Sequence, residues 1–206
     1  MRTLALTIAS TLLLMAACSD APKQAAKKEA EKPDPPITGR QAFQKMFPSA
    51  RGWAADALPL VLQSYNLQGV KSEAGKAGAW VTTFVSTGQR KSRQYTWSAM
   101  EAEGNLHKGV FAGLEQSWSG PAGQEMPFEV AAIRTDSDAA LETAMQQKET
   151  KEFAKKNPTM PLMFIMERTR RFPDLTWRVL WGESVGTSEY SVFVDASTGK
   201  YLERVR

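Results

Sequence analysis

The side chains that most often carry acid–base, nucleophilic or metal chemistry are scarce in this chain. Its 206 residues hold one histidine, His107, and one cysteine, Cys18. Any Ser-His-Asp arrangement has to use His107, which sits among Leu106, Lys108 and Gly109 at the start of a β-like run. That setting reads as a structural or exposed histidine rather than a general base. A metal would be left mainly with carboxylates. Asp136 and Asp138 imitate part of a calcium loop, but the glycine and terminal glutamate that such a loop needs are not spaced for it. Their place at a helix start makes capping the better account. No glycine-rich phosphate cradle is present. The expectation is therefore no catalytic residue, no metal and no cofactor. One cysteine also means no disulfide within the chain. Stability must come from apolar burial, which 42% hydrophobic residues, six Trp and nine Phe can supply.

The less bland chemistry is cationic. Arg90, Lys91 and Arg93 fall in one expected hairpin loop, and Arg168, Arg170 and Arg171 in another. Together they could contact lipid phosphates, an anionic glycan or an acidic protein. Ordinary solvated hairpin tips are the competing account. The formal net charge of +4 is mild and gives no reason to expect a nucleic-acid partner. The tryptophans could line a ligand cleft, but Trp97, Trp177 and Trp181 fall on strand positions that would face a helix, which favours core packing.

The elements that would position these residues follow an ordered pattern. Arg2 and the apolar run Thr3 to Ala17 read as an export signal, too short for a permanent bilayer span of about 20 residues. Ser19 to Ile37 is rich in Ala, Lys, Glu and then Pro, and reads as a disordered tether. Thr38 caps a short helix to Phe47, with Pro48 ending it and a further turn or two around Trp53. Leu58 to Tyr65 alternates and, with Pro59, reads as an edge strand. Further strands are expected at 79–86, 94–100 and 107–115, and a short β-like run at 128–133. Thr135 to Asp138 is the strongest helix start, opening one helix from Asp138 to Lys156 with Leu141, Ala144, Met145 and Phe153 as its buried stripe. A central strand at 162–167 and strands at 175–182, 190–195 and 200–205 complete the chain.

Two features recur at one offset. Phe84 and Phe164 stand 80 residues apart (164 − 84), as do Trp97 and Trp177 (177 − 97). The simplest account is two copies of a unit in which a helix packs on an antiparallel sheet. The expected fold class is α+β with two repeated units. The expected division is 1–17 signal, 18–37 anchor and tether, 38–123 first unit, 124–206 second unit.

Two resemblances add to this. Met15-Ala16-Ala17-Cys18 resembles the lipobox of bacterial lipoprotein signals. This implies cleavage before Cys18, a diacylglycerol on its thiol, and, with Ser19 following, an outer-membrane position facing the periplasm. Trp177-Arg-Val-Leu-Trp181, followed by Tyr190-Ser-Val-Phe-Val-Asp195-Ala-Ser-Thr-Gly199-Lys200-Tyr201, resembles the end of a PepSY domain. That family is similar to cystatin folds and is usually non-catalytic, and some members inhibit proteases. The resemblances imply a lipid-anchored envelope protein that contacts the membrane through Cys18. It would hold or regulate an envelope protein partner without being an enzyme. A periplasmic carrier of a small apolar ligand, held in a sheet–helix cleft, is the alternative.

Overall fold

The structure is a computed structural model that describes residues 32–205 apart from 122 and 124. The expectations for the signal, for Cys18 and for most of the tether lie outside the described residues. In chain order the elements are β1 (Ile37–Thr38), α1 (Gly39–Trp53), β2 (Leu58–Tyr65), β3 (Lys76–Ala77), β4 (Ala79–Ser86), β5 (Lys91–Ser98) and β6 (Gly109–Ser117). A 3-10 turn (Val130–Ala132) leads to α2 (Ser137–Gln146) and α3 (Lys148–Lys156). Then come β7 (Leu162–Glu167), β8 (Thr176–Trp181), β9 (Tyr190–Asp195) and β10 (Tyr201–Val205). Eight strands form one antiparallel sheet in the order β10-β9-β8-β7-β2-β4-β5-β6, and β1 pairs with β3 beside it.

The fold is thus α+β, as expected. The sheet joins strands from both sides of the expected division at residue 123, because β2 pairs with both β4 and β7. One apolar core runs the width of the sheet. It includes Phe43 and Met46 of α1, Trp80 and Phe84 of β4, Ala140 and Ala144 of α2, and Trp177 and Val179 of β8. The opposite face carries a smaller cluster of Met163, Ile165 and Leu180 with Val61.

Several expectations are corrected. First, β2 is central, not an edge. Proline is tolerated there because Pro59 lies beyond the Val61–Gln63 stretch that pairs with β7, and the register to β4 shifts between Pro59 and Val61. Second, α1 continues through Pro48 to Trp53. Pro48 removes the bond to the Gln44 carbonyl, but both residues are on the exposed side of the helix. Burying Phe43 and Met46, each worth about 1.5–3 kcal/mol, offsets a proline cost of about 3 kcal/mol. Third, the expected long helix is broken at Gln147, whose ψ of 128° is extended. Helix periodicity explains the break. At 100° per residue, nine residues turn 180°, so an unbroken helix would place Phe153 opposite the buried Ala144. The break lets α3 start in a new phase. Phe153 then stacks on Tyr190 at 4.5 Å, and Thr150 and Tyr190 share a buried hydroxyl–hydroxyl bond of 3.0 Å.

The segment at 128–133 is a 3-10 turn, not a strand. The chain is also held earlier than the tether reading implied: Asp34 donates its N–H to the Ala99 carbonyl at 2.8 Å, and Ile37 is already in β1.

The two helix starts meet over the middle of the sheet. Thr38 and Gln41 form a reciprocal capping box on α1. Asp136 caps α2 by accepting from the Ser137 N–H at 2.7 Å, and also accepts from the Arg40 N–H (2.9 Å) and the Thr38 hydroxyl (2.6 Å). One carboxylate thereby serves both positive helix ends. Beneath it the indoles of Trp80 and Trp177 meet edge to face at 6.3 Å. Each donates to the carbonyl just before a cap: Trp80 to Ile37 (3.0 Å) and Trp177 to Thr135 (2.9 Å). Gly39 is required by this close approach, since a Cβ there would lie 2.5 Å from the Trp177 ring.

Candidate functional site

The expected basic cluster separates on inspection of its partners. β4 and β7 both run antiparallel to β2, so the β4–β5 and β7–β8 connections leave the same end of the sheet. They are three strand spacings apart, about 14 Å. They are not corresponding loops. The first joins the second and third strands of its half, counted from the β2–β7 junction, and the other joins the first and second. The 80-residue spacing therefore aligns strands that occupy different places in the sheet.

Lys91 and Arg93 are strand residues, not loop residues. Lys91 pairs with Glu115, whose carboxyl is held below its usual range by that bond and by the Trp53 indole. Arg93 donates to the Gly113 carbonyl at 2.8 Å and lies over the Tyr95 ring. Arg168 donates to the carbonyls of Pro173 and Pro127, tying its own loop. Arg171 pairs with Glu203 and stacks on Phe172. Arg90 and Arg170 alone of the six project as exposed side chains without a described partner. Asp56 belongs to the same end. It accepts from the Ser86 hydroxyl (2.6 Å) and the Gly88 N–H (2.8 Å), which hold its carboxyl below the ordinary value. Four of the six cations thus have partners within the chain, and two are open to a ligand.

His107 contacts Glu101 through Nδ1 at 2.6 Å and packs on Phe111 at 4.3 Å between ring centroids. The sequence also holds a Gly-x-Ser-x-Gly run at Gly182 to Gly186, a motif that suggests a nucleophile. Its place is the β8–β9 hairpin loop, not a strand-to-helix turn, and Ser184 Oγ bonds the Thr187 hydroxyl at 2.8 Å. Five strand spacings, about 24 Å, separate that loop from the β5–β6 connection that carries His107. The structure does not bring the two together. No group of three metal-ligating side chains forms among the described residues.

One carboxyl is displaced upward. Burial raises Glu167 above the usual carboxylate range, partly opposed by the charge of Arg178. Arg178 donates to Ser191 and lies over Phe193, against which Phe172 stacks at 4.5 Å. This cluster is on the sheet face that carries no helix. The signal for it was present in the sequence as charged residues inside apolar strands.

Among the concavities of the helix layer, two combine phenylalanine rings with a charged rim. A cleft of about 730 Å³ is bounded by Phe153, Tyr190, Arg204, Ser188 and Glu189. Its aromatic rings are already engaged: Tyr190 has Phe153 on one contact and Arg204, itself paired with Glu149, on another. A smaller groove of about 230 Å³ lies between α1 and the turn before α2, floored by Phe43, Phe47, Val130 and Ile133 with Arg40 and Gln44 at its rim.

Edge strand β6 is the remaining surface feature. Gly113 and Leu114 together oppose Gln94, a bulge that leaves Leu114 89% exposed. The Gly113 carbonyl is the one bound by Arg93.

No protein-family model, curated protein or solved structure matches this chain.

Proposed function

We propose that this protein is a lipid-anchored envelope component that acts as a non-enzymatic interaction module, holding or regulating a protein partner. The lipobox-like Met15 to Cys18 supports the anchor and the periplasm-facing location. The body is read as two PepSY-like halves, α1 with β2 and β4–β6, and α2–α3 with β7–β10. Support for that reading comes from the centre of the fold, where each half places an indole N–H on the carbonyl preceding its helix cap. The equivalent residues are Thr38 and Asp136, and Trp80 and Trp177, which replaces the 80-residue register with one of 98 (136 − 38) or 97 (177 − 80).

The observation that carries the interaction role is the β6 edge. It is nine residues long with one charged residue, Glu115, which is spent on Lys91 and Trp53, and it projects Leu114 and Val110. Edge strands that need no partner are usually short or guarded by charge. β10, at the other edge, has five residues including Glu203 and Arg204. Crosslinking in intact envelopes followed by recovery of the full chain should yield one reproducible partner, and Leu114→Asp should reduce that yield. No partner, or an unchanged yield, would count against the role. A second reading, carriage of a small apolar ligand with the 730 Å³ cleft as its candidate place, requires that extraction of native protein release a stoichiometric compound.

A further inference from the structure

The groove beside α1 combines three features that do not depend on one another. Its floor is apolar, formed by Phe43 and Phe47, stacked at 5.3 Å, with Val130 and Ile133 facing them. Its one charged lining residue is a cation: the Arg40 guanidinium is exposed at the rim without a described partner, while the Asp136 carboxylate nearby is taken up by the backbone N–H groups of Arg40 and Ser137 and the Thr38 hydroxyl. Its third feature is a main-chain acceptor. Pro48 lies inside α1 and has no N–H, so the Gln44 carbonyl lacks its usual donor four residues on, and both residues line this groove.

An occupant must therefore offer apolar groups for the floor, an anion for Arg40 and an N–H for Gln44. An acyl chain with a carboxylate meets two of these. A peptide meets all three. The volume of about 230 Å³ is below the usual range for a whole small-molecule ligand, and suits one or two side chains of a longer segment. We infer that this groove binds an extended, apolar peptide segment bearing a carboxylate, with a main-chain N–H of the peptide donating to Gln44 and the carboxylate paired with Arg40. The inference deepens the interaction-module reading by naming a surface and the chemistry of its partner.

The test uses the full chain in lipid nanodiscs, titrated with acetyl-Leu-Val-Leu-Asp-amide, its Asn counterpart, and octanoate, while methyl signals of Val130 and Ile133 are followed by NMR. Saturable shifts are expected with the Asp peptide, with binding at least tenfold weaker for the Asn peptide. Arg40→Gln, an exposed change that leaves the core untouched, should remove the preference for Asp over Asn. Pro48→Ala supplies the missing N–H to Gln44 and should weaken both peptides. Absence of saturation at millimolar peptide, equal binding of the two peptides, or equal binding of octanoate would overturn the inference. If the unmodified chain shows no saturable peptide binding while the crosslinked partner is still recovered, the groove is wrong and the interaction role stands.

Discussion

The two halves of the sheet solve the same packing problem with different helices. In the first half a single helix of 15 residues crosses β4 and β5, and it stays continuous despite an internal proline. In the second half, with no proline in the helical stretch, the helix breaks at Gln147 into segments of 10 and nine residues. The difference teaches that side-chain phase outranks local propensity. Phe43, Phe47 and Ala50 stay in step along α1, so packing tolerates Pro48. Ala144 and Phe153 are out of step, so the backbone yields between them although every residue there accepts a helix.

The strongest way to break this comparison is Trp177→Ala. It should cost about 3–5 kcal/mol, as large aromatic truncations in cores do. Because Trp80 and Trp177 touch, the loss should lower the unfolding midpoint of both halves together. Hydrogen exchange would show it: protection retained in β4 and β5 while β8 and β9 open would mean the halves are independent.

Asp136→Ala is expected to cost about 2 kcal/mol, the upper end for a cap, since the side chain serves Ser137, Arg40 and Thr38 at once. Thr38→Ala should cost about 1 kcal/mol. Urea denaturation of the two variants gives the ranking, and equal losses would mean that Asp136 caps only its own helix.

Gln147→Asp sharpens the contrast between helices. Gln147 is the cap of α3 and makes no side-chain bond to it. Asp at the N-cap of α3 should stabilise by about 0.5–1 kcal/mol, less a few tenths for a carboxylate at the C-cap of α2, whereas inside a continuous helix it would destabilise by a few tenths. The sign of the change in thermal midpoint decides between a broken and a continuous helix.

The smallest expected effect is local and depends on pH. The Asp56 carboxyl is held below its ordinary value by Ser86 and Gly88. A depressed carboxylate contributes order that is present above its ordinary pKa and is lost as pH falls through the lower folded value. Amide exchange at Gly88, measured relative to its intrinsic rate at each pH, should therefore quicken in acid below about pH 4. Asp56→Asn should quicken it at neutral pH and remove most of the acid response.

Much of the sheet was legible from composition and alternation. β2, β4, β7 and β9 have the bounds read from the sequence, because each is a run of β-branched or apolar residues closed by turn signals. What was not legible is which strands become neighbours across the junction. Pro59 signals an edge locally, and only the limited pairing with β7 shows why it can be central. The identical dipeptides 80 residues apart lie on strands that occupy different places in the sheet. Identity at Thr96-Trp97 and Thr176-Trp177 reflects similar demands on core strands. The cations were visible, but their loss to Glu115, Glu203 and backbone carbonyls depends on contacts that no spacing encodes.

The entry of the chain has a directional consequence. Asp34 is fixed to Ala99, just past the end of β5 that is remote from the Ser86–Lys91 connection. β4 separates those two ends by its eight residues, about 27 Å. The chain therefore enters the body at the end of the sheet opposite to Arg90 and Arg170, and a ligand held by those two guanidinium groups would lie about one strand length from that entry.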